Sequence, residues 1–276
     1  ALPISFWTSN HTLEKTYCVE MPSDKPLQFR FYNGGAESKV IFGENKRKEA
    51  EVLINPHKKI SEKKETDGVM KPDSGRTLYC WTKKDIEPLK GESDMVAASD
   101  IAPKLLLSTS PDWKAKSLWF YGVNEDFGSF EVTPEVQKMT DELLEGVDDE
   151  MEQIKILTHW VAEEIRYSGI SMGEGEGYTL HKGEMTFSDR CGVCKDKAGM
   201  LVTMLRAAGF ESYPAMTMAG SRIEKIPADQ FNHSVTVAKL KNGKWILLDP
   251  TWVPGVRELW SSAEQQQQYL MGIPEG

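Results

Sequence analysis

The sequence predicts an α+β protein, and three observations carry that prediction. Residues 1–125 hold short apolar runs that alternate with polar residues and are separated by turn formers, the pattern of strands. Residues 133–209 hold apolar positions spaced by three and four, the pattern of helices with one buried side. Residues 231–250 hold two apolar, partly β-branched runs joined by Asn242-Gly243, a strong hairpin signal. The expected organisation is a β-rich domain over 1–125 followed by a mixed domain over 126–276.

Composition narrows the partners. Of 276 residues, 39% are hydrophobic, with 8 Trp and 10 Phe, which is enough for a packed core and excludes a disordered chain. The net charge of −9 disfavours nucleic acid and anionic membranes. No run of 18 apolar residues exists, so no membrane-spanning helix is expected. A start at Ala1 without a basic and then apolar leader reads as a mature or trimmed chain. Nothing in the residues fixes an oligomeric state.

In chain order, Leu27–Tyr32 alternates and Asn33-Gly34-Gly35 follows it as a turn. Lys39–Phe42, Thr77–Trp81 and Leu105–Leu107 are further strands, and Asp94–Ile101 is a loop approaching Pro103. The charged runs Lys46–Glu51 and Lys58–Lys64 read as solvated surface. No repeat and no catalytic cluster occurs in this part, which reads as an accessory domain. Trp113–Gly128 reads as a connector that packs Trp119, Phe120 and Tyr121. Thr133-Pro134-Glu135 supplies a cap, a first-turn proline and an acidic residue, so a helix starts there and runs to about Leu144, with Gly146 ending it. Met151–Tyr167 is a second helix with Ile154, Leu157, Val161 and Ile165 on one face, and Trp160 is read as core.

Gly169–Gly183 places Gly173, Gly175 and Gly177 among Glu174, Glu176 and Tyr178. A phosphate loop is disfavoured, because no strand–loop–helix context surrounds it and its carboxylates would repel phosphate. It reads as an irregular cleft wall that includes Gly177 and Tyr178. Tyr178 either donates to a developing oxyanion or packs at the rim.

The stretch that carries chemistry follows. Ala198, Leu201, Val202, Leu205 and Ala208 form a helical stripe, Gly192 interrupts the pattern before it, and Gly209 stops it. Cys194 is therefore expected at the helix N-terminus, where unpaired N–H groups and the macrodipole stabilise a thiolate. Such a thiol is a candidate nucleophile, with an inert buried cysteine as the alternative. His233 lies in the strand Phe231–Val237, and Asp249 ends the strand Lys244–Pro250 across the hairpin. A base and a group to orient it are what a thiol nucleophile needs.

Cys191 and Cys194 also form C-x-x-C. Zinc is disfavoured, since Cys18 and Cys80 stand alone and no second ligand pair is nearby. Thioredoxin-like exchange leaves His233 and Asp249 without a role. Cys191 reads as a neighbouring thiol able to trap Cys194 in a disulfide on oxidation. Cys18 and Cys80 can pair if the protein is exported. Trp252 and Trp260 read as core or cleft-rim residues, and Gln265–Gln268 as a solvated helix face.

The run Arg190-Cys191-Gly192-Val193-Cys194-Lys195-Asp196-Lys197-Ala198, with Asn232-His233 and Leu248-Asp249-Pro250-Thr251-Trp252, resembles the transglutaminase-like superfamily. Its members share a papain-like Cys-His-Asp core and include transglutaminases, bacterial cysteine peptidases and peptide N-glycanases. Ile165-Arg166-Tyr167, the Gly-rich loop and the Cys-Lys-Asp-Lys-Ala run are similar to a bacterial subgroup in which the core follows a β-rich domain. The resemblance covers about residues 130–260.

That resemblance implies a papain-like fold with the nucleophile helix packed on an antiparallel sheet. It makes Cys194 the nucleophile, His233 the general base and acid, and Asp249 the group that orients His233. Gly177, Tyr178, Asn232 and Trp252 are then expected along the substrate cleft. The reaction it implies is acyl transfer from a peptide or protein amide, with hydrolysis the first reading and glutamine acyl transfer or deamidation the second. A peptide- or glycan-binding module with a vestigial triad is the non-enzymatic alternative. No metal and no organic cofactor is required. The subgroup also implies export from a bacterial cell, to the periplasm or cell surface, and often a further β domain, so this chain is expected to be a fragment.

Overall fold

The computed structural model of the chain describes residues 4–42, 52–53, 75–168, 177–251 and 266–276. The runs Lys46–Glu51 and Lys58–Lys64, Gly173 and Gly175 with their glutamates, and Trp252, Trp260 and Gln265 lie outside these residues. The chain divides into two compact units, Ala1–Asp112 with Glu224–Gln230, and Trp113–Ile223 with Phe231–Gly276.

The first unit holds β1 (Ile4–Ser5), β2 (Thr12–Pro22), β3 (Leu27–Tyr32), β4 (Glu37–Phe42), β5 (Val52–Leu53), β6 (Arg76–Ile86), α1 (Ala98–Ile101) and β7 (Lys104–Ser108). One sheet has the order β1-β7-β3-β5 and another β2-β6-β4. Their inner faces meet in a core of Phe6, Phe29, Tyr79, Trp81 and Leu105, with Phe29 edge-on to Trp81 at 5.3 Å between ring centroids. All four expected strands are present. The 11-residue β2 is additional, and its apolar pattern hides it because Leu13 is 78% exposed while charged residues alternate beside it. The ladder to β6 holds it in place, and there Cys18 stands opposite Cys80 and forms a disulfide with it. Asp94–Ile101, expected as a loop, contains the single turn α1. Residues 224–230 pack within this unit through a buried Lys104–Glu224 ion pair of 2.9 Å and a hydrogen bond of 2.6 Å from Ser108 Oγ to the Pro227 carbonyl.

The second unit holds α2 (Trp113–Glu125), α3 (Pro134–Leu143), α4 (Glu150–Glu164), β8 (Arg166–Tyr167), α5 (Gly183–Asp189), β9 (Cys191–Gly192), α6 (Cys194–Ala207), β10 (Ser212–Thr217), β11 (His233–Lys239), β12 (Trp245–Leu248) and β13 (Tyr269–Met271). It is α+β: helices packed with an antiparallel sheet of order β12-β11-β10-β13. Thr133 Oγ1 accepts from the Val136 amide and Pro134 opens α3, while Asp149 caps α4 through the Glu152 amide. α6 is the central element. Every residue from Asp196 to Leu205 is buried, and Met200, Leu201, Met204 and Leu205 meet Ile154, Leu157 and Val161 of α4 and Ala238 and Leu248 of the sheet. A hydrogen bond from Thr236 Oγ1 to the Ala198 carbonyl (2.9 Å) ties the helix to the central strand β11.

Three readings need correction in this unit. Trp113–Gly128 is largely the helix α2, whose buried Phe120 packs with Phe130, Leu180 and Val202. The helix read as Met151–Tyr167 stops at Glu164, because Ile165 leaves helical geometry (φ −98°, ψ 104°), and Arg166 and Tyr167 pair in parallel with Cys191 and Gly192. The part of Gln265–Gln268 that is described is not helical: Gln266 has φ 57°, and the Gln268 carbonyl accepts from Thr217 Oγ1 at the start of β13.

Candidate active site

Cys194 is the first residue of α6, after Val193 in extended geometry. The helix start is fixed by Asp196, whose Oδ2 accepts from the Val193 amide at 2.8 Å. Its other oxygen, Oδ1, lies 2.7 Å from His181 Nδ1, and both side chains are 1% exposed. A Cβ on Gly192 would lie 2.5 Å from the Asp196 Cβ, so only glycine lets the chain enter the helix this closely.

His233 is the first residue of β11 and Asp249 follows the end of β12. The register Thr236 to Leu248, continued by one residue, sets Asp249 level with Val235, so His233 is its diagonal neighbour on the same face. His233 Nε2 lies 3.1 Å from Asp249 Oδ2. Asp249 Oδ1 accepts from the Thr251 amide (2.9 Å) and the Thr251 hydroxyl (2.6 Å). Burial pushes the Asp249 carboxyl up, but the hydrogen bond and charge of His233 and the two Thr251 donors outweigh it, and the carboxyl stays below its ordinary range.

With Nε2 on Asp249, Nδ1 is the imidazole nitrogen left for the thiol. Burial pushes the Cys194 thiol up. The hydrogen bond with His233, the Ser234 and Lys195 amides and the charge of His233 overcome that, so the thiol lies below an ordinary cysteine. Cys191 is a free thiol as well. Three side chains from a helix start, a strand start and a strand end are thus brought into one hydrogen-bonded line. A thiol hydrogen-bonded to an imidazole in this way is the arrangement that nucleophilic catalysis requires.

The other expected cleft residues stand as follows. Tyr178 packs edge-on to Trp119 at 5.5 Å between centroids, with the Lys116 ammonium 5.6 Å from its ring centre. Gly177 is exposed at φ 74°. Asn232 uses its amide to bridge Ala219, accepting from the Ala219 amide at 2.8 Å and donating to its carbonyl at 3.1 Å. Trp252 lies outside the described residues.

Tyr167, which the sequence offers only as part of the Ile165-Arg166-Tyr167 likeness and with no site role, stands at the thiol. Its hydroxyl is hydrogen-bonded to the Cys194 side chain and to the Cys194 amide, and burial and the neighbouring thiol raise its pKa. Its position two residues past an apolar helical stripe concealed it; the signal available was Arg166-Tyr167 leaving that stripe. Lys197, three residues after Cys194 and part of the Arg190–Ala198 run, likewise has no site role in the sequence reading. It is 1% exposed, and burial pulls its ammonium down to about 8, with Asp249 acting in the opposite direction. Among the described residues, His11, Asp85 and Glu87 of the first unit are the one group whose ligand atoms are near enough to share a metal ion. All three are exposed, and His11 is already hydrogen-bonded to Asp85 at 2.8 Å.

The chain is similar to known proteins in two ways, by a family model and by fold. Residues 137–250 match the family model of the transglutaminase-like superfamily. No curated protein matches the chain by sequence. A candidate protease from Parabacteroides distasonis has a similar crystal structure, with TM-score 0.64 and 16% identity over 91% of this chain and 46% of that one. The chain therefore spans about half the length of that protein, and the likeness is one of fold. A candidate cysteine protease from Cytophaga hutchinsonii aligns with TM-score 0.36 and 15% identity over 95% of this chain and 86% of that one. The periplasmic domain of TgpA from Pseudomonas aeruginosa aligns with TM-score 0.33 and 16% identity over 91% and 75%. Cys194, His233 and Asp249 all lie within the stretch 137–250 that is similar to the transglutaminase-like superfamily.

Proposed function

We propose that the protein is a thiol enzyme that cleaves amide bonds of a peptide or protein through an acyl-enzyme, with water as the acceptor. The observation that carries this reading is the hydrogen-bonded line from Cys194 through His233 to the buried Asp249. In this reading the Cys194 thiolate attacks the amide carbonyl carbon and the C=O pair moves onto oxygen. The Cys194 amide and the Tyr167 hydroxyl, which meet at the thiol, are the donors assigned to that oxygen. As the C–N bond breaks, His233 gives its proton to the leaving nitrogen. His233 then takes a proton from water, hydroxide adds to the thioester, and the thiolate leaves. Asp249 keeps the imidazole in the tautomer that faces sulfur. Water requires no further binding site, which is why hydrolysis is placed ahead of transfer to an amine. The Cys18–Cys80 disulfide supports an oxidising compartment, so we place the protein outside the cytoplasm.

The test is alkylation of the native protein by iodoacetamide from pH 4 to 9, read for Cys194 by mass spectrometry, in wild type and His233→Ala. The expected result is a Cys194 midpoint well below pH 7 that moves up in His233→Ala. A wild-type midpoint at the ordinary thiol value of about 8.5, indifferent to His233, would overturn the reading.

A further inference from the structure

We infer that Lys197 is a positioning residue, whose buried ammonium holds the end of α4 against α6 and so keeps Tyr167 at the Cys194 thiol. This rests on the enzyme reading above, since it assigns Lys197 a task in preparing the nucleophile. Lys197 Nζ donates to the carbonyls of Ala162 (2.9 Å) and Ile165 (2.5 Å), one in the last turn of α4 and the other just past its end. These are carbonyls that the helix itself leaves open, and a cation there also meets the negative end of the α4 dipole.

Two residues beyond Ile165 stands Tyr167. Its flanking amides are fixed to the strand that leads into Cys194: Arg166 N–H donates to the Arg190 carbonyl and Ser168 N–H to the Gly192 carbonyl, both at 2.9 Å. Tyr167 is thus anchored through β9 on one side and through Lys197 on the other. Lys197 and Cys194 are three residues apart on the same helix, so the anchor and the thiol move as one body. A surface lysine can bind carbonyls incidentally. A fully buried one carries a desolvation cost that an apolar residue of similar length would avoid, so its retention needs a reason. Fixing the end of α4, and with it Tyr167, is that reason.

The experiment is a double-mutant cycle on the Cys194 alkylation midpoint, using Lys197→Met, Tyr167→Phe and the double variant of the full chain, with near-UV circular dichroism to check the fold. If Lys197 acts through Tyr167, each single variant raises the midpoint by at least about half a pH unit, a threefold change in thiolate fraction, and the double variant goes no further than the larger single. Effects that add, or a Lys197→Met midpoint equal to wild type, would overturn the inference while a low wild-type midpoint leaves the enzyme reading standing. A wild-type midpoint at an ordinary thiol value would overturn both. If Lys197→Met does not fold, Lys197→Gln takes its place in the same cycle with the same outcomes.

Discussion

The second unit contains two histidine–aspartate pairs, and they differ in what surrounds them. His181–Asp196 is sealed, with both side chains 1% exposed and 2.7 Å between their atoms. His233–Asp249 is looser at 3.1 Å, and His233 keeps 16% of its side chain open while Asp249 keeps 3%. The carboxylate of Asp196 is divided between an imidazole and the Val193 amide just before α6. That of Asp249 is divided between an imidazole and Thr251. The first pair builds the place where the thiol sits, and the second addresses the thiol itself. Residue types alone do not separate a structural pair from a chemical one. Exposure of the imidazole, and what its second nitrogen faces, do.

The sharpest way to break this contrast is to remove each aspartate in turn. Asp249→Ala is expected to lower amide turnover by about 10²–10⁴ with a cooperative fold retained, because the imidazole loses the group that sets its tautomer. Turnover within a factor of three of wild type would remove Asp249 from the mechanism. Asp196→Ala is expected to behave in the opposite way. It strips a buried imidazole and the Val193 amide of their acceptor, which costs about 1–3 kcal/mol for a buried group left unsatisfied. Urea unfolding of the two variants measures this, and the stability loss should be larger for Asp196→Ala. Equal losses would mean that the sealed pair has no special structural share.

How much of this was legible in the chain depends on how local each signal is. The stripe from Ala198 to Ala208 and the stop at Gly209, which has φ 85°, mark α6 without any tertiary knowledge. Asn242-Gly243 marks the β11–β12 turn for the same reason, and Gly243 has φ 82°. Once those elements are placed, Cys194, His233 and Asp249 fall at their ends. β10 was not legible, because Pro214 lies inside it and speaks against a central strand. β8 and β9 are two residues each and exist only because distant segments meet. Tyr167 and Lys197 depend on that meeting, so no periodicity could announce them.

The smallest expected effect tests the open pair from its far side. Thr251→Val removes the hydroxyl donor to Asp249 Oδ1 and keeps the backbone donor. Losing one hydrogen bond to a charged group costs about 1.5–3 kcal/mol of stability, but the backbone donor still holds Asp249 on His233, so turnover should fall only a few-fold. The more telling readout is acid unfolding. A carboxyl whose folded value lies below its unfolded value of about 3.9 contributes stability that is complete above that value and is lost as pH falls through the folded one. Thr251 is among the donors that depress Asp249, so Thr251→Val raises the folded value toward 3.9 and shrinks this contribution. The acid-unfolding midpoint should move to higher pH in Thr251→Val, and should do so much less when the same change is made on an Asp249→Ala background. A shift of equal size on both backgrounds would mean that the Thr251 hydroxyl stabilises the fold through something other than Asp249, and the open pair would then owe its low carboxyl value to His233 and the Thr251 amide.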